Sequence, residues 1–185
     1  MCLRSVLFGS LVIFLGGALG LWPAPVAAQS GSSLQAHEFE ETEVIQLDGR
    51  LHETAWRSAP VDTTFTQQEP VEGGTPSERT AVRVGYNDKA LYIGVKLFYE
   101  DPSDIRAHQR RRDAPLSSDD RLMWILDPYN EGRNAYFFET NPLGLRGDGL
   151  LSTGQGSSLN KSWDGIWNVE VRRHAEGWTA EIRIP

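Results

Sequence analysis

Residues 80–101 read TAVRVGYNDKALYIGVKLFYED, and their period of two decides the fold. Val82, Val84 and Tyr86 alternate with Ala81, Arg83 and Gly85; after Asn87-Asp88-Lys89, Leu91, Ile93, Val95 and Leu97 alternate with Tyr92, Gly94, Lys96 and Phe98. Apolar residues at every second position of an extended chain share one side, and the Asn-Asp-Lys break supplies turn chemistry, so the stretch predicts a β-hairpin. One face carries branched aliphatics for a core. The other mixes aromatic, glycine and charge, and is expected to stay partly open.

Downstream, Leu122–Leu126 (LMWIL) lies between Asp119-Asp120 and Asp127-Pro128, a short apolar run that predicts a central strand buried on both faces. Asn134–Thr140 (NAYFFET) predicts its partner. Residues 141–161, rich in Gly, Ser and Asn, read as a long loop. Trp167, Val169 and Val171, a turn at His174–Gly177, then Trp178, Ala180, Ile182 and Ile184 make a second hairpin. Upstream, a short strand is expected at Glu43–Leu47, a turn at Asp48-Gly49-Arg50, and a helix at Leu51–Trp56 with Trp56 as its buried anchor. Residues 60–76 read as a surface loop with one edge strand at Thr63–Gln67. Some seven or eight strands and one short helix predict an all-β fold, an antiparallel β-sandwich.

The N-terminus has a different character. Arg4, an apolar run from Val6 to Leu21, and Val26-Ala27-Ala28 are the three regions of a secretory signal peptide, so residues 1–28 are expected to be removed. Residues 29–42 read as a disordered leader and 43–185 as the domain. Cys2, the single cysteine, leaves with the signal, so the exported domain is held by burial and not by disulfides. Loss of Arg4 takes the formal charge from −7 to −8, which argues against nucleic acid and anionic membrane as partners. Pro185 follows a strand with no polar tail, so the chain is expected to continue in a longer protein.

Sugar recognition needs flat apolar faces for the C–H patches of a pyranose and planar polar groups for its hydroxyls. Trp163 and Trp167, flanking Asp164 at the end of the glycine-rich segment, offer the first; the other reading is packing, which for Trp167 is the favoured one because it has the phase of Val169 and Val171, and which for Trp163 stands level with the ligand face. Arg110 and Arg112 in the run Arg110-Arg111-Arg112 offer guanidinium forks for carboxylates or acidic sugars; a solvated basic face, or pairing of one arginine with Asp119 or Asp120, is the other reading. Oxygen donors for calcium are plentiful at Asp119, Asp120 and Asp127, with Asn130, Glu131, Asp148 and Asp164, but none has EF-hand spacing. Catalysis has little support. His37, His52, His108 and His174 lack metal-ligand spacing, and there is no Gly-x-Ser-x-Gly elbow or phosphate loop.

Four segments in order, Asp48–Trp56 (DGRLHETAW), Tyr86–Val95 (YNDKALYIGV), Asp119–Asp127 and Gly177–Pro185 (GWTAEIRIP), resemble the family 9 carbohydrate-binding module. More closely, they are similar to the family-9-like domain at the N-terminus of large bacterial outer-membrane-associated proteins, over residues 44–185. The resemblance implies a jelly-roll-like sandwich, a non-catalytic role in glycan binding or polysaccharide breakdown, structural calcium, and an outer-membrane barrel following the domain. It implies export to the periplasm, outer membrane or exterior of a Gram-negative cell. It also places the family's first clamp tryptophan at Ser117, its strand glutamate at Met123 and an arginine at Phe138, so the usual sugar contacts are replaced. A structural periplasmic or surface domain that binds no sugar is the alternative, and a glycoside hydrolase a minor one.

Overall fold

The hairpin at 80–101 forms: β2 (Thr80–Asn87) and β3 (Ala90–Phe98), preceded along the chain by a short β1 (Ala36–Glu38), pair antiparallel with Val82 opposite Val95 and Val84 opposite Ile93. The Asn87 carboxamide accepts from the Lys89 and Ala90 N–H groups at 3.0 and 3.1 Å and fixes the turn. The structure, a computed structural model, describes residues 34–153 and 156–185. The signal peptide expected at 1–28, and the first part of the leader, lie outside the described residues.

The second hairpin, β8 (Asn168–His174) and β9 (Gly177–Ile184), docks on β3 to complete a sheet of order β1-β2-β3-β9-β8. Its ladder places Ile93 opposite Ile182 and Val95 opposite Ala180, so the aliphatic positions of both hairpins share one face. Against that face lies a four-stranded sheet of order β4-β5-β6-β7: β4 (Leu122–Leu126), β5 (Asn134–Thr140), β6 (Gly147–Ser152) and β7 (Ser158–Asn160). Val82, Ile93, Val95, Leu97, Trp178, Ala180 and Ile182 from one sheet pack with Leu122, Trp124 and Phe138 from the other in a single buried cluster. The fold is therefore an all-β sandwich.

Several expectations need correction. The outer face of the five-stranded sheet is covered over part of its area, because Phe39, Ile45, Leu51 and α1 (Thr54–Ser58), with Trp56, form a second apolar cluster on it with Ala90 and Tyr92, and it stays open, as expected, around Lys96 and Arg172. Gly85 and Gly94 make this contact possible: a Cβ on Gly85 would sit 2.0 Å from the Phe39 ring, and one on Gly94 2.7 Å from Leu51. The leader is thus partly ordered. Its β1 pairs parallel with β2, and no strand forms at 43–47. Helix α1 begins three residues later than expected, and its five residues are too few to hold themselves without the burial of Ala55 and Trp56.

Strand β4 is an edge strand of the described sheet and not a central one; Met123 and Ile125 on its outer face are only half-buried. Instead of a strand at 63–67 there are two isolated bridges, Asp62 with Val82 and Gln67 with Gly74. The segment 141–161 contains β6 and β7, whose glycines and polar residues hid a strand period.

Candidate functional site

Alternation along β5 divides its side chains. Tyr136 and Phe138 enter the core, whereas Phe137 and Glu139 face the outer side of the four-stranded sheet. At the end of that outer face is a cavity of about 280 Å3 lined by Pro115, Leu116, Ser117, Arg121, Glu139 and Lys161. Arg121 precedes β4, Glu139 lies near the end of β5, and Lys161 follows β7, so three segments remote in sequence meet there.

Glu139 is only 1% exposed, and Lys161 bonds its Oε1 while Arg121 lies 3.6 Å from its Oε2. The side chains of the two cations remain 34% and 26% exposed, so they stand at the mouth with the carboxylate beneath them. Gly147, opposite Glu139 across the strand pair, leaves the space this carboxylate occupies; a Cβ there would come within 2.7 Å of Glu139 Cγ.

The wall contributed by residues 113–119 is held rigidly. Leu116 packs with Ala114 and Leu145 in a small buried cluster. Below it, Asp119 accepts from the N–H groups of His108 and Gln109 at 2.8 and 2.9 Å and from Asn141 Nδ2 at 2.8 Å. Burial opposes ionisation of Asp119, but these donors outweigh it and hold the group at about 2. Asn141 Nδ2 also reaches the Gln109 carbonyl, and its Oδ1 accepts from Leu143 and Leu145, tying the loop to the chain leaving β5.

The residues singled out from the sequence fall elsewhere. Arg112, Asp164 and Trp167 do come together, but around Asp148, and as a packed joint. Asp148 is fully buried and its Oδ2 accepts from Arg112 Nη2 at 2.5 Å, Gly165 N at 3.0 Å and Trp167 Nε1 at 2.7 Å. Arg112 Nε pairs with Asp164 at 2.8 Å and approaches Asp113 at 3.7 Å. Burial disfavours the guanidinium charge, but the Asp148 bond and the three carboxylates outweigh it and raise the Arg112 pKa.

Trp167 is 1% exposed, edge-on to Trp124 and Phe138, and offers no face to a ligand. Trp163 is half-buried, its ring 5.0 Å from Tyr136 and against Gly165, on the core side of the sheet and so across it from the cavity. Arg110 is exposed and outside the joint. Phe138, the position where the resemblance places an arginine, points into the core, and its neighbour Glu139 takes the outer face.

Nor do the calcium candidates meet. Asp119 is saturated as described, Asp120 accepts from the Tyr99 hydroxyl and Arg106 N, and Asp127 closes the β4–β5 turn by accepting from Tyr129 and Gly132 N–H groups. Among the described residues, the carboxylates that could share an ion are Asp113, Asp148 and Asp164, whose oxygens lie within 4.8 Å of one another. The Arg112 guanidinium already stands among them, and a divalent cation would have to displace it. The donor set therefore fits an arginine and does not fit calcium.

Arg121, Glu139 and Lys161 escaped the sequence reading because no local spacing joins them; Ser117 alone was marked, as the position the resemblance gives to a clamp tryptophan. No protein-family model, curated protein or solved structure matches the chain in any of three comparisons.

Proposed function

We propose that this chain is an exported, non-catalytic carbohydrate-binding domain of family-9 type that contributes glycan recognition to a larger protein engaged in polysaccharide breakdown. One observation carries the reading: the outer-face cavity, where a hydroxyl, a guanidinium, an ammonium and two apolar residues converge on a rigid sheet end. Its volume of about 280 Å3 is at the lower end of small-molecule clefts, the scale of one or two sugar rings. Ser117, Arg121 and Lys161 supply donors for ring hydroxyls, and Pro115 and Leu116 an apolar wall for C–H groups.

A hydrolase is disfavoured by the same lining. Glycoside hydrolysis uses two carboxyl groups across the scissile bond. The cavity has one, Glu139, and it is engaged by two cations.

Binding of the full chain to a glycan array tests the proposal. Lys161→Ala is expected to weaken the glycan that binds by about tenfold, the cost of one hydrogen bond from a charged donor; unchanged affinity would remove the cavity as the site. A second reading is favoured by one feature, the lack of any aromatic lining, with Ser117 standing where the resemblance places a tryptophan. In that reading the domain is a structural periplasmic or surface part of an outer-membrane barrel protein. Silence of a folded chain across the array would support it.

A further inference from the structure

We infer that the cavity selects sugars bearing a carboxylate, uronic acids, over neutral hexoses; this rests on the glycan-binding reading above. The lining holds two cations and one anion, a surplus of one positive charge in a chain whose formal charge is −7. The anion is also out of reach. Glu139 is buried to 1% beneath Lys161 and Arg121, so a ligand entering the cavity meets the two cationic heads first.

Their donors are available. The 3.6 Å separation of Arg121 Nη1 from Glu139 is an ion pair but too long for a hydrogen bond, and among the described residues no hydrogen bond engages the Arg121 guanidinium. A planar carboxylate can accept two parallel N–H bonds from such a fork. Lys161, held in place by its bond to Glu139, supplies a point charge beside it. A neutral hexose would leave the surplus charge uncompensated in a half-enclosed cleft; a singly charged uronate compensates it. Ser117 and the Pro115-Leu116 wall then face the hydroxyls and C–H groups of the ring.

Glu139 sets the size of this surplus. With the two cations alone the cavity would favour a dianion such as a phosphate monoester; the buried carboxylate halves the excess and fixes both heads. The space for it exists only because Gly147 lacks a side chain.

The experiment is calorimetric titration of the full chain, at low and at moderate salt, with glucuronate and galacturonate, with glucose and galactose, with a sulfated hexose, and with acetate. The expected result is uronate binding at least about tenfold tighter than the matching neutral sugar, as one charge-assisted fork allows, and weakening with salt. Arg121→Gln and Lys161→Gln should each reduce uronate affinity towards that of the neutral sugar while leaving the neutral sugar's own affinity within about twofold. Each also takes a partner from the buried Glu139, so a lowered thermal midpoint is expected, and far-ultraviolet circular dichroism matching that of the parent chain shows that the variants are folded at the titration temperature. Neutral sugars binding as tightly as uronates would overturn the inference while leaving the glycan reading standing. A preference that survives Arg121→Gln, or tighter binding of the sulfated sugar, would overturn it too. Acetate binding as tightly as glucuronate would make this a simple anion site, and absence of binding by every probe would remove both readings together.

Discussion

Asp119 and Glu181 show how two buried carboxylates can be put to opposite electrostatic ends. Asp119 is held at about 2 against a model-compound value of 3.8, because four neighbouring donors favour its charge more than burial disfavours it. Its contribution to stability is therefore complete above pH 3.8 and is lost as the pH falls through 2. Asp119→Asn is expected to cost about 2 kcal/mol at neutral pH, the linkage value of such a shift, and to flatten the acid limb of a stability–pH curve measured by urea unfolding. An unaltered acid limb would contradict this.

Glu181 is fully buried and accepts from Asp48 N, Gly49 N and Trp56 Nε1 at 2.9, 3.1 and 2.8 Å. Burial raises its pKa more than those donors lower it, with the Glu53 charge adding to the rise. Its raised value gives the reverse dependence: a contribution complete below the usual carboxylate range and lost as pH climbs through the folded value. Glu181→Ala strands three donors, and a loss of about 3 kcal/mol or more is expected in equilibrium unfolding at one to a few kcal/mol for each.

At the scale of elements, that same node brings together Asp48-Gly49, Trp56 and the Ala180-Glu181-Ile182 strand, which lie far apart along the chain. They are one buried joint that pins the turn and α1 to β9. Gly49, with φ +75° and the Arg172 and Val171 backbone 2.9 Å from where a Cβ would lie, lets the turn pass that close. The N-terminal segment is a third layer and not a tail. Phe39 is 2% exposed over Gly85, edge-on to Trp56 at 5.4 Å. Phe39→Ala should therefore cost about 3 kcal/mol, as truncation of a buried phenylalanine does. A disordered leader would predict no change, so the unfolding midpoint of this variant separates the two.

For the molecule as a whole, calcium is the sharpest test. The three carboxylates that come together are neutralised in part by Arg112, so millimolar calcium or a chelator should leave the thermal midpoint of the chain unchanged. A calcium-dependent rise of several degrees that Asp148→Asn abolishes would show that the ion displaces the guanidinium. Among the described residues no helix is long and apolar enough to cross a membrane.

The alternation at 80–101 and at 167–184 was enough, read alone, to specify both hairpins, their inward residues and hence an all-β sandwich, because a period of two admits one way of burying an aliphatic face. Trp56 as an anchor was legible for a similar reason, an apolar residue on one side of a short turn. What covers part of the outer face of the larger sheet was not legible, since the signal was the absence of side chains at Gly85 and Gly94, and absence names no partner. The strands hidden at 147–152 and 158–160 were missed because their stability comes from pairing with β5 rather than from their own composition. The cavity belongs wholly to the tertiary structure. Arg121, Glu139 and Lys161 carry no common spacing, and a charge in a sequence does not say which other charge it will be buried beside; only the register of β5 against β4 and β6, with room left by Gly147, puts one carboxylate beneath two cations.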